Sequence, residues 1–274
     1  MNLNVSIEFA ENSYKKILED FFKTVYDEKS LYSHGIDHHR RVWRYAKELA
    51  LLLSDKQLID DSFSPSGLII ACYLHDIGMS VDRGIIHGHH SREICTGFLE
   101  KNSLRTADWV DVLEAIENHD NKEYKTFSGK HNLPSVLSVA DDLDAFGFAG
   151  IYRYSEIYLM RGINPSELGH LVIKNARKRF ENFRISYDFS GDLIMKHKTR
   201  FEILGNFFNE YNEQATTYTF GSQHPSGYCG AIELLNNLIC KNHSLTDFLM
   251  NKGYDHHDKI IKRFFDELKS ELFE

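Results

Sequence analysis

Apolar residues recur at three- and four-residue spacing along most of this chain, and no convincing run alternates with period two. A chain patterned this way buries its apolar residues as helices, because a half-buried strand needs alternation. Tyr14, Ile17, Leu18, Phe21, Phe22 and Val25 make one stripe, and His38, Val42, Tyr45, Leu49 and Leu52 make a second. Breakers and caps fall between the stripes. Ser64-Pro65 starts a helix that Gly78 would end, and Thr106 caps a helix running to about His119. Pro134 opens a helix containing Val136, Val139 and Ala140, and Asn164-Pro165-Ser166-Glu167 starts another. Each places a cap residue or a proline where a first helical turn tolerates it. The expected class is all-α, a helical bundle with short loops. Residues 213–230 carry Thr, Gly, Ser and Pro and read as a loop or linker. Helical segments follow over 231–274, where Ser244-Leu245-Thr246-Asp247 resembles a capping box. The expected organisation is a main domain over 1–212, a linker over 213–230 and a helical C-terminal appendage over 231–274. As a separate domain of about 45 residues that appendage would be marginal alone, so it is expected to pack on the main bundle.

Composition removes several classes. The formal net charge is -8, from 32 Lys and Arg against 40 Asp and Glu, so no global basic footprint for nucleic acid is present. The longest apolar run, Leu68-Ile69-Ile70-Ala71-Cys72-Tyr73-Leu74, is far shorter than the ~20 residues of a membrane span. The opening Met1-Asn2-Leu3-Asn4-Val5-Ser6 lacks the basic start and apolar core of a signal peptide, which points to the cytoplasm. Cys72, Cys95, Cys229 and Cys240 form no CxxC and read as free thiols of a reducing compartment. The unusual count is 15 histidines without a tag-like tract, which raises the prior for a histidine metal site.

Those histidines gather in five ordered segments with carboxylates: His34-Gly35-Ile36-Asp37-His38-His39-Arg40-Arg41-Val42, Leu74-His75-Asp76-Ile77-Gly78, His87-Gly88-His89-His90-Ser91, Ala115-Ile116-Glu117-Asn118-His119, and Val139-Ala140-Asp141-Asp142-Leu143-Asp144-Ala145. Mixed nitrogen and oxygen donors without thiolate suit Mn, Fe, Mg, Co or Zn. Taken singly, each piece has an ordinary explanation. His38 and His75 could be hydrogen-bonded core histidines, and Asp76 beside Ile77-Gly78 could form a turn. His119 could cap a helix, and Asp141, Asp142 and Asp144 could be a solvated acidic face. Taken together these explanations are poor, because Asp76 and Asp141 lie in apolar surroundings where an unpaired carboxylate is costly. One shared cation relieves several such costs at once.

With these flanks, the pattern His…His-Asp…Asp resembles the HD-domain metal-dependent phosphohydrolase superfamily, most closely its small stand-alone bacterial members. The resemblance covers about Ser33 to Tyr211. It implies that His38, His75, Asp76 and Asp141 are metal ligands, with Asp76 placed to bridge a second ion. It implies that His87 and His119 hold that second ion or, with one ion, face the phosphate. Which of His87, His89 and His90 points inward is open; the spacing to Ser91 favours His87. Arg41 and Arg153 are the candidate phosphate ligands, since a guanidinium holds two oxygens in a fork; a surface ion pair is the rival role for Arg41. Asp144 would stand behind a ligand, one layer out. Asp142 departs from the pattern, standing where close relatives often carry a basic residue. Lys174, Arg177, Lys178, Lys196 and Arg200 either line the pocket or form a solvated face. Phe146, Phe148, Tyr152 and Tyr154 either stack on a base or belong to the core.

A bound divalent cation lowers the pKa of water from 15.7 towards about 7, and a histidine near pKa 6.5 suits protonation of a leaving oxygen. The expected function is therefore hydrolysis of a phosphate ester or phosphoanhydride in a small metabolite, with a nucleotide favoured. The enzyme would be a nucleotide phosphatase, pyrophosphohydrolase or phosphodiesterase. The alternative is a non-catalytic regulatory module that binds metal or nucleotide; a third reading treats all the histidines as packing. Substrate, native metal, ion count, the role of 213–274 and homo-oligomerisation stay open at this level.

Overall fold

The computed structural model describes residues 2–26, 31–59, 62–121, 131–241, 243, 245–250 and 256–273. Their regular structure is all helical, with no strand among the described residues. The chain divides into two compact units, Met1–Asp144 and Ala145–Glu274.

The first unit opens with α1 (Leu3–Ala10), a π-helical turn at Glu11–Lys15, and α2 (Lys16–Val25). It continues with α3 (Ile36–Asp55), α4 (Pro65–Leu74), α5 (His87–Lys101), α6 (Val110–Asn118) and α7 (Leu133–Asp144). At its centre is α4. The Ser64 hydroxyl caps its first turn by accepting from the Gly67 amide at 3.0 Å, and Pro65 opens it. Leu68 to Leu74 are all buried, so both faces of the helix are apolar. The surrounding helices α1, α2, α3, α6 and α7 supply the partners such a helix requires. It ends at Leu74, and His75 and Asp76 leave it before a 3-10 turn at Ile77–Ser80. The helix expected to end at Gly78 thus stops earlier, and the one expected from Thr106 opens with a 3-10 turn at Thr106–Trp109.

The second unit holds α8 (Gly147–Met160), α9 (Pro165–Ser186), α10 (Gly191–Ala215), α11 (Gly227–Cys240), α12 (Leu245–Met250) and α13 (Lys259–Phe273). The Asn164 side chain accepts from the Ser166 amide, which caps α9 as its sequence predicts. Residues 216–226 separate α10 from α11. The C-terminal helices pack against α8 and α10, with Ile261, Phe264, Phe265 and Leu268 buried. Glu271 fastens this arrangement: its carboxylate accepts from the amides of Phe148 (2.5 Å) and Ala149 (3.1 Å) and from Arg200. Gly147, at φ 72°, allows that approach, because a β-carbon there would meet the Glu271 carboxylate. The capping-box reading at Ser244 lies outside the described residues. No helix among the described residues is long and apolar enough to cross a membrane. Cys72, Cys95 and Cys229 are buried free thiols, and Cys240 is an exposed one.

Candidate metal centre

The first unit buries an unusual amount of polar chemistry. His34, His38, His75, Asp76, His87, His119, Asp141, Asp142 and Asp144 are each at most 4 % exposed. The acidic run after Ala140 is therefore interior, not a solvated face. Each element delivers its part by ordinary helix geometry. His38 comes from the first turn of α3, in line with Val42 and Tyr45 on its buried side. Asp141 and Asp144 are three residues apart on α7 and so share a face. His75 and Asp76 leave the end of α4, His87 opens α5, and His119 closes α6.

Two donor sets result. His38, His75, Asp76 and Asp141 place one donor atom each within 4.8 Å of one another, and so do Asp76, His87 and His119. The two oxygens of Asp76 serve different sets. Its Oδ2 lies 3.4 Å from Nε2 of both His38 and His75. Its Oδ1 lies 2.8 Å from His119 Nε2 and 3.3 Å from His87 Nε2. Asp141 Oδ1 is 3.9 Å from both His38 Nε2 and His75 Nε2. A third grouping, His38 with His39 and His75, contains no carboxylate. Burial holds the His39 imidazole well below its usual pKa, and its Nδ1 bonds the Cys72 carbonyl at 3.0 Å.

The hydrogen bonds behind the rings decide which way the donors face. His75, His87 and His119 each direct Nδ1 at a backbone carbonyl, of Cys72 (3.0 Å), Gly84 (2.6 Å) and Ile116 (2.7 Å). His38 directs Nδ1 at Asp144 Oδ2, 2.8 Å away. Carbonyl and carboxylate oxygens only accept, so each Nδ1 carries the hydrogen and a neutral ring turns a bare Nε2 lone pair inward. Yet His38 Nε2 and His75 Nε2 are 3.3 Å apart, as are His87 Nε2 and His119 Nε2, and carboxylate oxygens crowd both pairs. Lone pairs at this separation repel unless a proton or a cation lies among them. Donors about 2.1 Å from one ion stand roughly 3.0–3.4 Å apart in octahedral or tetrahedral arrangement. The imidazoles and Asp76 thus fit a divalent ion in chemistry, tautomer and spacing, and Asp141 adds a carboxylate at the wider separation of 3.9 Å.

Without an ion, protons fill the gap. Burial opposes charge on His75, but Asp76 and Asp141 outweigh it and push its pKa up to about 9. Burial alone would raise the Asp76 carboxyl; the charges of His75 and His119, with hydrogen bonds from His119 and His38, reverse that and hold it well below the carboxylate range. Burial also works against a charged His87, and the Asp76 carboxylate raises it nonetheless.

The other expected residues fall as follows. Asp144 lies behind His38 and is itself held by Arg41, whose Nε and Nη2 donate to its two oxygens at 2.7 and 3.1 Å. That pair is buried, which corrects the surface ion pair considered for Arg41. His87 is the buried member of its cluster; His89 turns to Glu117 and Glu93, and His90 to Glu93. Arg153 is a buried residue of α8 in the second unit. Lys174, Arg177, Lys178 and Lys196 are exposed, and Arg200 bonds Glu271 and the Phe146 carbonyl. Phe146, Tyr152 and Tyr154 are core. One residue at the centre had no role in the sequence reading. His34 is buried, with Nε2 3.9 Å from Asp76 Oδ2, Nδ1 2.8 Å from Ser33 Oγ and its ring against His38. Its four-residue spacing from His38 was the available signal.

Residues 35–146 match the family model of the HD domain. The matched segment contains every residue of both donor sets. No curated protein and no solved structure gives a significant match to the chain.

Proposed function

We propose that this protein is a metal-dependent phosphohydrolase that cleaves a phosphate ester or phosphoanhydride bond in a small metabolite, with a nucleotide the favoured substrate. The observation that carries this reading is Asp76, whose two oxygens face two different sets of inward-turned imidazoles. His38, His75, Asp76 and Asp141 would hold one divalent ion, and Asp76, His87 and His119 a second. When bound, a divalent ion supplies a lowered water pKa and a Lewis acid for a phosphoryl oxygen.

The chain's own groups prepare the site. Asp144 keeps the hydrogen of His38 on Nδ1, so that Nε2 stays a donor, and Arg41 fixes the Asp144 carboxylate in turn. The carbonyls of Cys72, Gly84 and Ile116 do the same for His75, His87 and His119. If the second set holds no ion, His119 Nε2, 2.8 Å from Asp76 Oδ1, is placed to hold a proton for the leaving oxygen. Arg153 as a phosphate ligand rests on the family resemblance alone. The division at 212 and 230, the cytoplasmic location and the choice among Mn, Fe, Mg, Co and Zn belong to the same proposal.

A product assay tests it. Chelator-stripped protein is supplied with Mn and offered nucleoside mono-, di- and triphosphates and cyclic dinucleotides, with Asp76→Asn in parallel. Metal-dependent release of phosphate, pyrophosphate or an opened diester, lost in the variant, is the expected result. Equal turnover by the variant would overturn the site. Mn binding without turnover on the whole panel would favour a binding module.

A further inference from the structure

The second donor set has no helix of its own. It forms where three chain segments meet: the turn after Asp76, the first turn of α5 carrying His87, and the end of α6 carrying His119. Two glycines let those segments touch. A β-carbon on Gly78 would stand 2.1 Å from the His87 carbonyl oxygen and 2.5 Å from the Ser91 amide nitrogen. In its absence the Gly78 amide donates to Ser91 Oγ at 2.8 Å. On the other side of the same turn, a β-carbon on Gly88 would stand 2.4 Å from the Glu117 carbonyl oxygen. The opening of α5 is thus wedged between backbone two residues beyond Asp76 and backbone two residues before His119.

A side-chain fastening closes the α6 face. The Glu117 carboxylate accepts from Arg92 Nη1 through one oxygen and bonds His89 Nδ1 through the other at 3.1 Å. Both partners belong to α5. The group is partly exposed, and exposed ion pairs contribute little to overall stability. What it fixes is the register of α5 on α6, and with it the 3.3 Å between His87 Nε2 and His119 Nε2. The His38, His75 and Asp141 donors come from α3, the end of α4 and α7, and neither Gly88 nor Glu117 touches those helices in this way.

We infer that the α5–α6 latch, formed by Gly88 against the Glu117 backbone and by the Glu117 carboxylate on Arg92 and His89, sets the geometry of the second cation position and thereby how many divalent ions the protein holds. The inference rests on reading the cluster as a metal centre. Glu117 is a positioning residue, acting through His119 and His87. The small displacement its loss permits is costly because ligand geometry tolerates only about 0.5 Å.

The test counts ions. Full-length, chelator-stripped protein is titrated with Mn by calorimetry, and tightly bound Mn is counted by elemental analysis after desalting. Wild type is expected to take two ions per chain. Glu117→Ala should keep the first with affinity unchanged and weaken the second about 10–100-fold, the range found when a group supporting a ligand is removed. Glu117→Gln, which keeps an acceptor for Arg92, should recover most of the loss. Gly88→Ala should lose the second ion while its circular dichroism stays helical, matching His119→Ala, which deletes the ligand itself. Wild-type affinity for both ions in Glu117→Ala would overturn the latch, as would loss of both. A single ion in wild type would overturn it too, with the first position intact. No ion at all would instead overturn the metal-centre reading beneath it.

Discussion

The two donor sets that meet at Asp76 are built by different means. The first draws His38 and Asp141 from within helices α3 and α7 and His75 from the end of α4, which is buried throughout Leu68–Leu74. Its surroundings include Val42, Leu74 and Ala140, none with exposed surface. The second takes His87 from the start of α5 and His119 from the end of α6, held by glycine contacts and a partly exposed carboxylate. Close-packed cores resist displacement, whereas helix ends and turns open locally at lower cost. In the proposed metal centre the first position would therefore be the fixed one and the second the adjustable one. Asp76 belongs to both sets and would tie their occupancies together.

Substitutions separate the two positions. The largest effect is expected for Asp76→Asn, which removes a charge from both sets; metal content and turnover should each fall below about 1 % of wild type, a loss on the scale of removing the ion's catalytic contribution. Next, His38→Ala or Asp141→Ala should abolish tight metal binding, while His87→Ala should leave one ion per chain by elemental analysis. Equal losses from the two groups of variants would erase the distinction. Asp144→Ala probes the support behind the first set. It frees His38 Nδ1 and leaves Arg41 buried without its carboxylate, so metal affinity should drop about 10–100-fold. Stability by denaturant titration should fall by about 3 kcal/mol, as when one member of a buried pair is removed.

The smallest expected effect is on pH. In metal-stripped protein the His75 pKa is raised from 6.5 to about 9. Protonated His75 thus contributes stability that is fully present below about pH 6.5 and is lost as pH rises through about 9. The metal-free melting temperature should fall across that window. Saturating Mn should remove the fall, because the ion takes the proton's place and gains affinity as pH rises. A metal-free melting curve that is flat between pH 6.5 and 9 would contradict the proposed balance of protons and cation.

Much of this was legible in residue order. Ser64-Pro65 and Asn164-Pro165 announce α4 and α9 because capping is a local event. The four-residue spacing of His87 and Ser91 puts both on one helical face, and the structure seats Ser91 Oγ on the Gly78 amide beside Asp76. Other features were not legible because they depend on which helix lies alongside. The N-terminal stripe containing Tyr14 crosses a π-helical turn, and Thr106 leads into a 3-10 turn before α6; the local signals for these turns and for an α-helix overlap. Arg41 read equally well as a phosphate ligand or a surface pair, since nothing in its neighbours in sequence shows that Asp144 stands within reach. Glu117 and Gly88 look like an ordinary surface acid and an ordinary glycine until α5 and α6 are side by side.

The most direct measurement is an anomalous-scattering map from crystals of the Mn-loaded protein, collected at the manganese edge. We expect one peak within about 2.2 Å of His38 Nε2, His75 Nε2, an oxygen of Asp76 and an oxygen of Asp141, the usual range for such ligands. A second peak of lower occupancy should lie among the other Asp76 oxygen, His87 and His119. Crystals grown with saturating Mn that show no peak at Asp76, or a peak only on surface carboxylates, would contradict a shared metal centre.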